Sequence, residues 1–296
     1  MSDPINQQIN NFLTYLEHNR QASALTINNY KFYLSRFYNL TKINSIDQIN
    51  IESINSFRSQ LSQIRNQRGG MMKLTTQNYH LIALRTFLNY LKTKGLSAFN
   101  PDKISLNKTK KETINALEKN NMEKLLQAPL LTKSPDIIKT RDKSILELLL
   151  STGLKVSELA SLRRNHINFM YNVLTIKGMG GRFRTMELNN HAKFWINKYL
   201  EMRTDSLPAL FIRHDKAKSR QLKKINAEEY QLTPRTVQRI IKKYAKSSEL
   251  NPNITPQTLR HSYAKYLLAT GEDLKHVQSK LGHASIITTH MYTRGA

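Results

Sequence analysis

The chain has 296 residues, 39% of them hydrophobic and 23% charged, which is long enough for two ordinary domains and outside the composition of disordered chains. It contains no cysteine, so disulfides, thiolate metal sites and cysteine nucleophiles are excluded. With 46 Lys and Arg against 21 Asp and Glu, the formal charge is +25 and the pI about 10.1; such a chain is drawn to polyanions, nucleic acid above all. Residues 1–108 carry 13 basic and 5 acidic side chains, residues 109–296 carry 33 and 16. Both halves are therefore basic, as suits contact with a duplex from two sides; a generally basic, Lys- and Asn-rich protein is the competing explanation. No apolar run is long enough to cross a bilayer, and the opening MSDPINQQINNF lacks the order of a secretory signal. A cytoplasmic location with no membrane partner is the expectation.

Residues 1–95 read as four amphipathic helices. Ile5, Ile9, Phe12, Leu13 and Leu16 recur at helical spacing in the first; a second follows Thr26, burying Ile27, Tyr30, Leu34 and Phe37. A third runs through Ile51, Ile54, Phe57 and Leu61, and a fourth through Leu81, Leu84, Leu88 and Leu91 to stop at Gly95. Four such helices with short connections make a small bundle, here bounded as domain 1–98. The stretch 99–115, with its proline and lysines, reads as a basic linker; Lys110 and Lys111 would suit a phosphate backbone. In 116–296, an apolar helix covers Ile145 to Leu150 and another begins at 155–162. NVLTIKG and RFRTMEL flank GMGG and read as a β-hairpin, and ALFIR at 209–213 as a further strand. Helices over 192–203, 234–248, 256–269 and 273–281 follow, with Thr255 as N-cap before Pro256. The fold class is mainly α with a small β-sheet.

Chemistry concentrates in TPQTLRHSYAKYLLATG…LGHASIITTHMYT, where Arg260, His283 and Tyr292 are separated by 23 and then 9 residues. An arginine and an imidazole hold the non-bridging oxygens of a phosphodiester while a phenol oxygen attacks phosphorus. Singly, each residue has an ordinary structural explanation. Together, in this order and spacing, they resemble the signature of the tyrosine site-specific recombinases, the family of phage integrases and Xer proteins.

The resemblance covers nearly the whole chain. It implies an N-terminal helical core-binding domain and a C-terminal mixed α/β catalytic domain that clamp a specific double-stranded DNA site, working as a homo- or hetero-tetramer. It further implies site-specific recombination through a 3′-phosphotyrosyl intermediate and a Holliday junction, with no cofactor, neither ATP nor metal. Tyr292 matches the nucleophile, and Arg260 and His283 the phosphate-holding pair. In TGLKVSELASL, Lys155 stands where the family has arginine, keeping charge but losing the planar fork. Glu158 resembles the acidic residue that orients neighbouring basic groups. In KGMGGRFRTMEL, Met179 occupies the position of the lysine that protonates the departing 5′ oxygen, and Lys177, two residues away on the same strand face, is the candidate substitute acid. Arg182 and Arg184 are candidate phosphate contacts. In the family's H-x-x-R element the histidine is replaced by Gln257, which hydrogen-bonds but does not titrate. Three altered positions leave a second possibility open, a relative that binds DNA sequence-specifically without cutting it. Only four residues follow Tyr292, whereas Xer-like relatives continue into a helix that docks on a neighbouring protomer. Assembly is expected to rest on other surfaces, or the chain is a shortened one.

Overall fold

The computed structural model describes residues 5–65, 69–109, 115–178, 181, 183–214, 227–283 and 285–293. The chain divides into two compact units, Met1–Glu112 and Thr113–Ala296.

The first unit is built from α1 (Ile5–His18), α2 (Ala24–Thr41), α3 (Ile51–Gln63) and α4 (Leu74–Thr93). Side-chain caps start two of them. Ser23 Oγ accepts the Thr26 N–H at 3.2 Å and Asn50 Oδ1 accepts the Ser53 N–H at 2.8 Å, each satisfying a first-turn donor with no partner inside its helix. The apolar stripe of α1 is buried throughout, as are Leu81, Leu84, Leu88 and Leu91 of α4. Phe12 meets Tyr30 and Phe87 edge-on, with centroids 5.6 Å apart in both cases. On α2, Leu34 and Phe37 are buried but Ile27 and Tyr30 only partly, and Ile51 stays exposed at the first position of α3. The front of the expected linker is folded onto this unit. Ile104 is buried in its core, and Asn78 clasps the backbone of Asn107 by two bonds, 2.8 and 2.9 Å. Lys110 and Lys111 lie outside the described residues.

The second unit opens with α5 (Lys119–Gln127), α6 (Asp136–Thr152) and α7 (Val156–Ala160). The helix expected over 145–150 extends back nine residues, to Asp136, because its N-terminal half buries charge in pairs. Arg141 Nη2 lies 2.7 Å from Asp142, whose other oxygen accepts from the Tyr244 hydroxyl at 2.7 Å, and Lys143 lies 2.8 Å from Glu147. Strands β1 (Ile167–Asn168), β2 (Val173–Lys177) and β3 (Phe183–Glu187) form an antiparallel sheet in that order, with Ile176 opposite Arg184 and Lys177 opposite Phe183. The hairpin expected from the alternating pattern is β2–β3.

Residues 209–213 are not a strand. The carbonyls of Ala209 and Leu210 both accept from Arg203 Nη1, at 2.6 and 2.9 Å, and among the described residues the segment makes only isolated bridges, through Ala209 to Arg163 and through Ile212 to Gln231. Helices α8 (Asn190–Glu201), α9 (Pro234–Ser247), α10 (Pro256–Ala269), α11 (Leu274–Leu281) and α12 (Ile287–His290) follow among the described residues. Most of its apolar residues share one core, but Tyr263, Ala264, Leu267, Val277, Leu281 and Tyr292 form a cluster of their own between α10 and the chain's last helices. Among the described residues no helix is long and apolar enough to cross a membrane.

Candidate active site

The site is assembled at the first turns of α10. Thr255 Oγ1 caps the helix by accepting the Thr258 N–H at 3.2 Å, and Pro256 supplies the preset φ of a first turn. Arg260, one turn further in, is turned inward and only 2% exposed. Its Nη1 donates to the Gly153 carbonyl and its Nη2 to the Leu281 carbonyl, each at 2.6 Å. Both acceptors sit at helix C-termini, where carbonyls lack helical partners and the dipole favours a cation. Gly153 ends α6 in the left-handed conformation, φ +60°, and a Cβ there would stand 2.5 Å from Tyr263 Cδ1 and 2.9 Å from Leu281 Cδ2. Glycine is required on both counts.

The chain turns after α11 through Gly282 and delivers His283. A Cβ on Gly282 would collide with the Arg184 guanidinium, so the missing side chain makes room for that arginine. His283 Nδ1 and Thr289 Oγ1 lie 3.0 Å apart, and the His283 ring stacks over that of Tyr292, centroids 6.2 Å apart and planes 13° from parallel. Burial, then the charges of Arg260, Lys155, Arg184 and His261, push the His283 pKa down to about 4, so its imidazole is neutral at neutral pH. Tyr292 is 2% exposed. Burial raises its pKa against the opposing pull of Arg260, and the phenol keeps its proton.

Lys155 precedes α7, and Glu158 of the same helix accepts the Lys155 backbone N–H at 2.8 Å. Glu158 also takes both Nη groups of Arg184, at 2.9 and 2.8 Å. This fork-to-fork pair ties the strand β3 to α7 beside the cluster. Arg184, expected to face phosphate, thus spends two donors on Glu158.

Arg260, His283, Tyr292, Lys155, Glu158 and Arg184 are therefore brought to one region. Gln257, at the head of α10, is exposed to solvent; the Tyr292 hydroxyl is met instead by His261, whose Nδ1 lies 2.9 Å away. Lys177 ends β2 and is exposed. Met179 and Arg182 lie outside the described residues. His261 is not among the residues that the sequence pattern singles out. Its only signal was position, one step beyond Arg260 on the helix carrying the signature, since a histidine among polar neighbours has no pattern of its own.

The chain is thus a helical bundle and a mixed unit, with a buried arginine, two histidines and a tyrosine gathered at the C-terminal helices. Residues 115–296 match the model of the phage integrase family, and residues 9–95 that of the phage integrase N-terminal SAM-like domain; the chain belongs to the phage integrase family. It is 34% identical over 286 residues to the tyrosine recombinase XerC of Thermodesulfovibrio yellowstonii, covering 96% of this chain and 90% of that one. It is 32% identical to the tyrosine recombinase XerA of Pyrococcus horikoshii, over 96% and 87% of the two chains. In fold it is similar to the XerH site-specific recombinase bound to its difH substrate (TM-score 0.69, 20% identity, 97% of this chain and 81% of that). It is likewise similar to a lambda integrase dimer on a core site (TM-score 0.70, 17% identity, 96% and 97%).

Proposed function

We propose that the protein is a site-specific DNA recombinase that cleaves and rejoins duplex DNA through Tyr292. The observation that carries this reading is the convergence of buried Tyr292 and Arg260 with half-buried His283, in a chain of the phage integrase family. Tyr292 attacks the scissile phosphorus and forms a 3′-phosphotyrosyl bond, releasing a 5′ hydroxyl. Arg260, fixed by two carbonyls, keeps further donors for a phosphate oxygen, and His283 supplies a neutral imidazole for another. Such preset donors stabilise charge that develops in the transition state. Lys155 adds positive charge, Glu158 holds Arg184 and the start of α7, and Lys177 is the acid for the leaving 5′ oxygen, with Arg182, Lys110 and Lys111 on the phosphate backbone. A 5′ hydroxyl from a partner strand then reverses the attack, passing through a Holliday junction in a tetramer of DNA-bound protomers. The phosphotyrosyl bond conserves the energy of the ester it replaces.

A second reading, a sequence-specific DNA-binding relative that no longer cuts, is favoured by Gln257, which has no titratable group, and by Met179, whose thioether has no proton to donate. A nicked suicide duplex carrying the protein's site, selected from random DNA by binding, separates the two. A denaturation-resistant protein–DNA adduct that disappears in Tyr292→Phe, with site binding retained, is expected of the recombinase. Binding without an adduct, with an adduct appearing once Lys155→Arg, Met179→Lys and Gln257→His are combined, would establish the non-cutting relative.

A further inference from the structure

A phenol must lose its proton to attack phosphorus, and a group within about 3 Å is the one placed to take it. Gln257 is exposed and does not titrate. The Tyr292 hydroxyl instead lies 2.9 Å from His261 Nδ1, with the two rings 5.3 Å apart and tilted by 57°. We propose that His261 is the proton acceptor for Tyr292, a catalytic residue of strand cleavage; this rests on Tyr292 being the nucleophile.

Three features of the site support the assignment. The first is reach, since the contact is already at hydrogen-bond length. The second is protonation state. Burial and then the charge of Arg260 hold the His261 imidazole below its usual range, so it is neutral at neutral pH and has a lone pair to offer. The third is the set of alternatives. The groups facing His261 are Arg260 on its own helix, Tyr292, and His283, behind which stand Lys155 and Arg184. The arginines and the lysine have no acceptor atom. His283 binds protons weakly, with a pKa of about 4, and its Nδ1 is engaged with Thr289. His261 alone among them combines contact with the Tyr292 hydroxyl and an acceptor nitrogen turned to it. It also shares the rigid helix α10 with Arg260, so proton acceptor and phosphate ligand keep their mutual geometry.

The Tyr292 O–H bond breaks and its proton passes to His261 Nδ1, the ring carrying its other proton on Nε2. The phenolate oxygen forms the bond to phosphorus. The P–O5′ bond breaks with its electron pair on the 5′ oxygen, which takes a proton from the acid assigned above to Lys177. On rejoining, His261 returns its proton to Tyr292.

The test is single-turnover cleavage of the nicked suicide duplex by the full chain, measured across the titration range of histidine. His261→Asn keeps a hydrogen-bonding group near the Nδ1 position but does not titrate; His261→Ala leaves a space that added imidazole can enter. Adduct formation is expected to fall by about 10²-fold or more in both variants. The rise of rate with pH should flatten, imidazole should restore part of the His261→Ala rate, and site binding should stay intact. A His261→Asn enzyme that cleaves at the parent rate with the parent pH profile, or faster, overturns the proposal. So does a DNA-binding His261→Ala enzyme indifferent to imidazole; if that variant does not fold, the asparagine variant decides. A parent chain that forms no Tyr292-dependent adduct sinks the nucleophile reading and this one together, whereas a parent adduct with indifferent His261 variants sinks this one alone.

Discussion

Removing Glu158 tests whether the site is held in place by one carboxylate. Glu158→Ala deletes the acceptor of three bonds, two from Arg184 and one from the Lys155 backbone N–H. The Arg184 and Glu158 side chains are 14% and 12% exposed, so the arginine is left mostly buried without its counter-charge. Breaking a fully buried pair by removing one partner costs about 3–5 kcal/mol; residual solvent contact lowers the expectation here to about 2–4 kcal/mol. For a unit of this size that corresponds to a fall in Tm of roughly 5–15 °C. Thermal melts followed by circular dichroism would measure it, together with Arg184→Met and the double variant. Because the loss arises from an unpaired charge, Arg184→Met should recover part of it in the Glu158→Ala background. Coupling between the two substitutions below about 0.5 kcal/mol, the range of independent sites, would refute the claim that the pair organises this corner of the site.

Two further outcomes follow from the geometry. Gly153→Ala places a methyl 2.5 Å from the Tyr263 ring at a left-handed φ, and backbone strain plus overpacking should cost about 2–5 kcal/mol; an unchanged denaturation midpoint would contradict the packing described. His283, with its pKa near 4, rejects in the folded state a proton that the unfolded chain binds below about 6.5. The unfolded state therefore holds more protons between those values, so stability rises with pH across that window and is lost as pH falls through it. Urea unfolding at the two ends of the window should show the difference, reduced in His283→Gln, and a difference of opposite sign would be inconsistent with a depressed pKa.

Much of this fold is legible in the sequence where chemistry is local. Thr255 and Pro256 mark the start of α10 because cap and first-turn preferences need no tertiary context, and the alternation on both sides of GMGG gives the β2–β3 pairing. The pattern fails where tertiary partners overrule it. The N-terminal half of α6 escapes a hydropathy reading because Arg141, Asp142, Lys143 and Glu147 look like surface residues yet are buried in pairs. Residues 209–213 have the composition of a strand, but Arg203 takes the carbonyls that a neighbouring strand would need. In the site, Arg260, His283 and Tyr292 stand out through spacing, and Glu158 through its segment. The partner of Arg184 and the neighbour of the Tyr292 hydroxyl are set by contacts 26 and 31 residues apart in sequence, which no local pattern encodes.

The charges around Tyr292 explain why such a site should seek a phosphodiester. Arg260, Lys155 and Arg184 all act on His283, and Glu158 is the carboxylate set against them. Among these described groups positive charge exceeds negative, a local deficit of anion in the half-buried region. Burial first, and these cations after it, hold both His261 and His283 neutral. An incoming phosphate meets fixed donors and prevailing positive charge, with little reorganisation needed. The same deficit predicts that a bound phosphodiester raises the His283 pKa, because the anion offsets the cations that now depress it. Histidine titration by NMR, with and without site DNA, would show that rise; a His283 pKa indifferent to bound DNA would mean that the phosphate lies elsewhere.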